Sequence, residues 1–239
     1  MATKLNFLSS KFVVFSTVFW VICNLLSIYF LGEEDSRWFR VGSSLYFLIW
    51  SFSFGVFNSK MHFVLLSYLI CDISLVFYES QAFNFITFIS RSLIFLLLIL
   101  IVFPRIRSVK FRFFELIMGA AVILVNIYLL FELIGMVPEA YLYDFFYPAY
   151  LSLTTLTMLL VGVAFTYNNR SSSKKSFYFL LAALFLALSD VNFFIAFYLD
   201  VPVFNYPDRF FHVLALGLIV LFWIKPLEAD FKKLEQREV

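Results

Sequence analysis

The sequence predicts an all-α polytopic membrane protein, a bundle of eight transmembrane helices, on three observations. Of 239 residues, 63% are hydrophobic and only 14% charged, with a mean hydropathy of +0.93. A soluble domain runs closer to a quarter charged, so this chain has too little polar surface to cover a globule in water. Apolar runs long enough to cross a bilayer as a helix, about 20 residues each, recur along the chain, and Lys and Arg divide unevenly between alternate connections.

The predicted spans are 12–31, 38–57, 61–78, 83–103, 113–134, 145–167, 177–199 and 209–226, all within one domain covering 1–239. The first is too long for the core of a signal peptide and no small-residue cleavage site follows it, so it is expected to be retained. It carries a polar stripe of Thr17, Trp20, Asn24 and Ser27, and the second span carries Ser43, Tyr46, Trp50 and Ser53. The third contains Asp72 with Tyr68 one turn before it, and the fourth has Asn84, Thr87 and Arg91 on one face. Glu115, Gly119 and Asn126 share a face of the fifth; Tyr150, Thr154 and Thr157 follow on the sixth. The seventh holds Asp190, preceded by Ala183 and Ala187, small residues that let a neighbouring helix approach closely. In lipid each polar group needs a partner or water, and the stripes predict a polar cavity inside the bundle. Asp72, Arg91 and Asp190 are expected there at similar depth, Asp190 lying roughly 20 Å in at 1.5 Å per residue.

The basic residues set the expected orientation. Fourteen fall on one side: Lys4, Lys11, Lys60, Arg105, Arg107, Lys110, Arg112, Arg170, Lys174, Lys175, Lys225, Lys232, Lys233 and Arg237. Only Arg37, Arg40 and Arg209 fall on the other. The positive-inside rule then places both termini in the cytoplasm, and the sequon at Asn169 should carry no glycan.

Composition also excludes chemistries. A net charge of +2 gives no basis for nucleic-acid binding; the partner implied is the membrane. Cys23 and Cys71 lie in apolar runs and read as small buried hydrophobes. His62 and His212 are expected at opposite ends of the bundle, roughly 20–30 Å apart, so they cannot share a metal, and no metal or other cofactor is expected. No phosphate loop, dinucleotide fingerprint or mid-span lysine for a Schiff base occurs. Ionisable groups near the midplane mark functional sites, which selects Asp72 and Asp190, with Arg91 as structural counter-ion or binding group. Tyr68, Asn24, Asn126, Trp50 and Thr154 are the candidate binding residues around them. This set suits acid–base hydrolysis or proton-coupled transport.

Two stretches resemble the YhhN family of eight-helix membrane proteins. "LLSYLICDISLVFY" is similar to that family's first aspartate helix, and "LLAALFLALSDVNFFIAFY" to its late Ser-Asp signature, here Ser189–Asp190. The chain differs in having Ala182 and Ala183 where the family usually has Gly, Arg91 where it often has a histidine motif, and no evident Gln on its last span. The resemblance implies a lysoplasmalogenase, which cleaves the vinyl ether of a lysophospholipid, with Asp72 and Asp190 dividing the roles of acid and carboxylate.

Overall fold

The computed structural model describes residues 2–53, 59–106, 128 and 131–224, and among these the secondary structure is helical with no strand. The long helices are α1 (Ala2–Leu31), α2 (Glu33–Ser53), α3 (Ser59–Val76), α4 (Gln81–Ile106), α6 (Phe146–Ser171), α7 (Lys174–Tyr198) and α8 (Asn205–Ile224). The short helix α5 (131–135) is the described end of the predicted fifth span; Glu115, Gly119 and Asn126 lie outside the described residues.

Six of these helices are long and apolar enough to cross a membrane: α3, α4, α6, α7, the Ser10–Leu31 part of α1, and α8 with the turn before it. Their exposed faces support the membrane reading. On α1, Phe15, Tyr29 and Phe30 are each more than 70% exposed, a surface suited to acyl chains and costly in water. The second helix differs. It has 21 residues, but its first two turns hold Glu33, Glu34, Asp35, Arg37 and Arg40.

Local chemistry explains where helices start and stop. Gly32 takes a positive φ of 81° between α1 and α2, a conformation that costs glycine nothing. Ser173 caps α7: its Oγ accepts from the Ser176 amide at 3.1 Å, while the Ser176 Oγ accepts from the Ser173 amide at 3.0 Å. This reciprocal pair satisfies two orphan donors of the first turn.

The long helices close into a ring. Each packs on its described neighbour, α1 on α2 and so on through α4 on α6, and α8 returns to pack on α1, with a further contact to α2. Close approach of α1 and α8 depends on Gly217, where an added Cβ would lie 2.7 Å from Thr17 Cγ2. The apolar core includes Phe47, Leu65, Phe95, Leu160, Leu186 and Leu216, all fully buried.

Among the described residues, many polar groups of the stripes find their partners locally. Most of their hydroxyls bond to a carbonyl of their own helix: Thr17 to Val13, Ser27 to Asn24, Ser43 to Arg40, Thr87 to Phe83, Thr154 to Tyr150, Thr157 to Leu153. A hydroxyl three or four residues on from a carbonyl finds that acceptor without help from another helix. These hydroxyls are therefore satisfied within their own helices and need no neighbouring span.

Candidate functional site

Two ionic clusters sit inside the ring, nearer the end that carries the Gly32 turn. The first is centred on Arg40, two turns into α2. Its Nε donates to Asp72 Oδ1 at 2.8 Å, its Nη1 to Asp208 Oδ2 at 2.9 Å, and its Nη2 meets His212 Nδ1 at 2.8 Å. A guanidinium has donors only, so His212 Nδ1 must accept, and the imidazole proton resides on Nε2. That Nε2 points at Asp72 Oδ2, 3.2 Å away, and donates to it. Ser44 Oγ donates to the same oxygen. Ser189 Oγ donates to Asp208 Oδ1 at 2.5 Å. Every oxygen of the two carboxylates and both nitrogens of the neutral histidine are thus engaged. Arg40, Asp72, Asp208 and His212 are all at most 3% exposed.

The second cluster is Arg91 with Asp190. Arg91 Nε donates to Asp190 Oδ1 at 2.9 Å and its Nη2 lies 2.8 Å from the same oxygen. Arg91 is 3% exposed; the Asp190 side chain is 23% exposed. The guanidinium also lies over the rings of Tyr68 (5.7 Å) and Phe95 (5.2 Å). Tyr68 joins the clusters, since its ring lies 5.5 Å from the His212 ring. Ser189 and Asp190 join them again through the backbone, one residue serving each cluster.

The clusters differ in how completely they are satisfied. Among the described residues, Asp190 Oδ2, Arg91 Nη1 and the Tyr68 hydroxyl are buried and have no hydrogen-bond partner. Buried polar atoms are paired in the great majority of cases, so three unpaired ones around a single ion pair set this cluster apart from the fully bonded network of Arg40.

Of the residues singled out from sequence, the fold brings together Tyr68, Asp72, Arg91 and Asp190, with one change of partnership. Arg91 pairs with Asp190, while Asp72 is held by Arg40 and His212. Three other candidates bond or stack elsewhere. Asn24 donates to the Trp20 carbonyl at 2.9 Å, Thr154 to that of Tyr150 at 2.9 Å, and the Trp50 ring stacks on Phe12. Asn126 lies outside the described residues. Sequence reading missed Arg40, Ser44, Asp208 and His212. Arg40 and Ser44 are one turn apart on α2, as are Asp208 and His212 on α8, and this spacing was the available signal. It was hidden for Asp208 because α8 starts at Asn205, four residues before the predicted span, and for Arg40 because it was counted only as a charge of one side.

A surface cavity of about 520 Å³ opens at the Gly32 end, lined by Glu33, Glu34, Arg37, Glu79, Tyr141 and Asp200 among others. Neither Asp72 nor Asp190 lines it. Comparison with protein-family models, with curated proteins and with solved structures finds no match to the chain.

Proposed function

We propose that the chain is an eight-span membrane hydrolase of the lysoplasmalogenase type, with both termini cytoplasmic and Asp190 as its proton donor. One observation carries the reading. Asp190 keeps one oxygen, Oδ2, unbonded while both oxygens of Asp72 are engaged, and the Asp190 side chain as a whole is 23% exposed. Vinyl ether hydrolysis needs a carboxyl group free to exchange a proton, and of the two aspartates Asp190 is the one with an oxygen to spare. The orientation draws support from the Gly32 end, where Glu33, Glu34, Asp35, Glu79 and Asp200 gather while Arg37, Arg40 and Arg209 are buried.

In this mechanism the proton on Asp190 Oδ2 passes to the β-carbon of the vinyl ether. The double-bond electron pair forms the new C–H bond and leaves an oxocarbenium ion. Water adds to the oxygen-bearing α-carbon and returns a proton to Asp190. The hemiacetal then breaks its bond to the glycerol oxygen, which takes up a proton as the hemiacetal hydroxyl loses one, giving a fatty aldehyde and the glycerophospho alcohol. Arg91, bonded to Oδ1, orients the carboxyl group so that Oδ2 faces the substrate. Asp72 is a positioning residue: through His212 it fixes the Tyr68 ring against which Arg91 lies.

The test is aldehyde release from a lysoplasmalogen by the purified protein in detergent. Asp190→Asn should abolish turnover while leaving a monodisperse, folded protein; an Asp190→Asn variant of undiminished activity rules the mechanism out. A second reading, proton-coupled transport, draws on the continuity of ionisable groups from Asp190 through Arg91, Tyr68 and His212 to Asp208. Against it, none of the described spanning helices is broken at mid-length, as transporter binding helices often are. Proton or solute flux in liposomes without aldehyde production would decide for transport.

A further inference from the structure

Beside the Arg40 cluster lies a buried arginine, Arg209, for which no acceptor is found among the described residues. It lies on α8 one residue after Asp208, is 2% exposed, and has neither its Nε nor its Nη1 bonded. One turn earlier on the same helix, Asn205 is 4% exposed and its Nδ2 is likewise unbonded. The two side chains are i and i+4 neighbours, and their unpaired atoms are all N–H donors. They occupy the first turns of a 20-residue helix, whose N-terminus carries partial positive charge.

The surrounding groups leave these donors unserved. Arg209 lies within electrostatic reach of Arg40, Asp208, Asp72 and Arg37. The oxygens of Asp208 are engaged by Arg40 and Ser189, and those of Asp72 by Arg40, His212 and Ser44. Arg37 is spent on Glu79 at 2.6 Å and on the last carbonyls of α3. With Glu79 counted, the formal charges of these groups cancel, so charge alone does not call for a ligand. Hydrogen bonding does: a buried guanidinium edge and a buried amide, four residues apart on one helix, have no acceptor among the described residues, and such groups are costly unless paired.

We propose that Asn205 and Arg209 form an anion site for a phosphate group, at the Gly32 end of the bundle. A tetrahedral phosphate offers several acceptor oxygens and matches the forked guanidinium. The group comes from a lipid headgroup in the adjacent leaflet or from free phosphate in solution. The site uses neither Asp190 nor Arg91 and does not depend on the hydrolase reading.

The experiment is titration calorimetry on the full-length protein in a non-ionic detergent. The probes are inorganic phosphate, a short-chain lysophosphatidylethanolamine and the monoacylglycerol of the same chain length. Binding of inorganic phosphate assigns the site to the free anion. Binding of the lysophospholipid but not of the monoacylglycerol assigns it to a headgroup. In either case Arg209→Gln should weaken binding at least tenfold, Arg209→Lys should weaken it less, and Asn205→Leu should weaken it several-fold. Equal binding of the two lipids with none of inorganic phosphate overturns the proposal. So does phosphate binding that survives both Arg209→Gln and Asn205→Leu. If Arg209→Gln fails to fold, Asn205→Leu and the comparison of probes on the unaltered protein decide the question.

Discussion

Arg40→Gln is the sharpest probe of the interior. The arginine serves three buried partners at once, so its removal leaves Asp72 and Asp208 with no cation in contact and His212 Nδ1 with no donor. Breaking one buried ion pair by deleting a partner costs about 3–5 kcal/mol. Two pairs would set an upper bound near twice that, but Asp72 keeps Ser44 and His212, and Asp208 keeps Ser189. A loss of about 4–6 kcal/mol is therefore expected, a large share of the roughly 5–15 kcal/mol that holds a typical domain together. Thermal unfolding of detergent-purified protein, followed by tryptophan fluorescence, measures it. The deficit should narrow as pH falls, because a proton neutralises each orphaned carboxylate. The combination Arg40→Gln, Asp72→Asn, Asp208→Asn removes the unpaired charges and should recover most of the loss. A cost for Arg40→Gln below about 1 kcal/mol, the size of an exposed pair, would mean that water reaches this cluster. A combined variant no more stable than Arg40→Gln would mean that charge is not what Arg40 provides. Either result refutes the reasoning.

Gly217→Ala places a methyl group against Thr17 and should destabilise by about 1–3 kcal/mol, with Thr17→Ala recovering most of it; full tolerance in a denaturation series would show that α1 and α8 separate easily. Tyr68→Phe removes a hydroxyl with no partner among the described residues but keeps the ring against which Arg91 lies, so stability should stay within about 0.5 kcal/mol and aldehyde release should persist. A clear loss of stability would reveal a partner for that hydroxyl. Ser173→Ala deletes the cap of α7 and should cost about 1 kcal/mol, visible as faster amide exchange in residues 174–177.

Much of the fold was legible because hydropathy is a property of short windows. A run such as "LIFLLLILIVF" demands a membrane wherever it sits, and α4 forms over it. Asp72 and Asp190 were equally legible as interior groups, since a carboxylate facing lipid costs too much. The charged helix ends were not. Arg37, Arg40 and Arg209 were counted as one side's soluble charges, yet each is at most 4% exposed. Hydropathy places a span's edge where charge begins, whereas a helix continues as long as its buried face can supply counter-charges.

Composition and spacing alone determined that this chain is helical, belongs in a bilayer and keeps acids in its interior, because solvation is settled residue by residue. Which basic group each acid meets was decided only by tertiary packing. Asp72 finds Arg40 across 32 residues and His212 across 140, and Asp190 finds Arg91 across 99. Ion pairing requires side chains from separate helices to arrive at one depth and one azimuth, and that coincidence is a property of the closed ring rather than of any stretch of sequence.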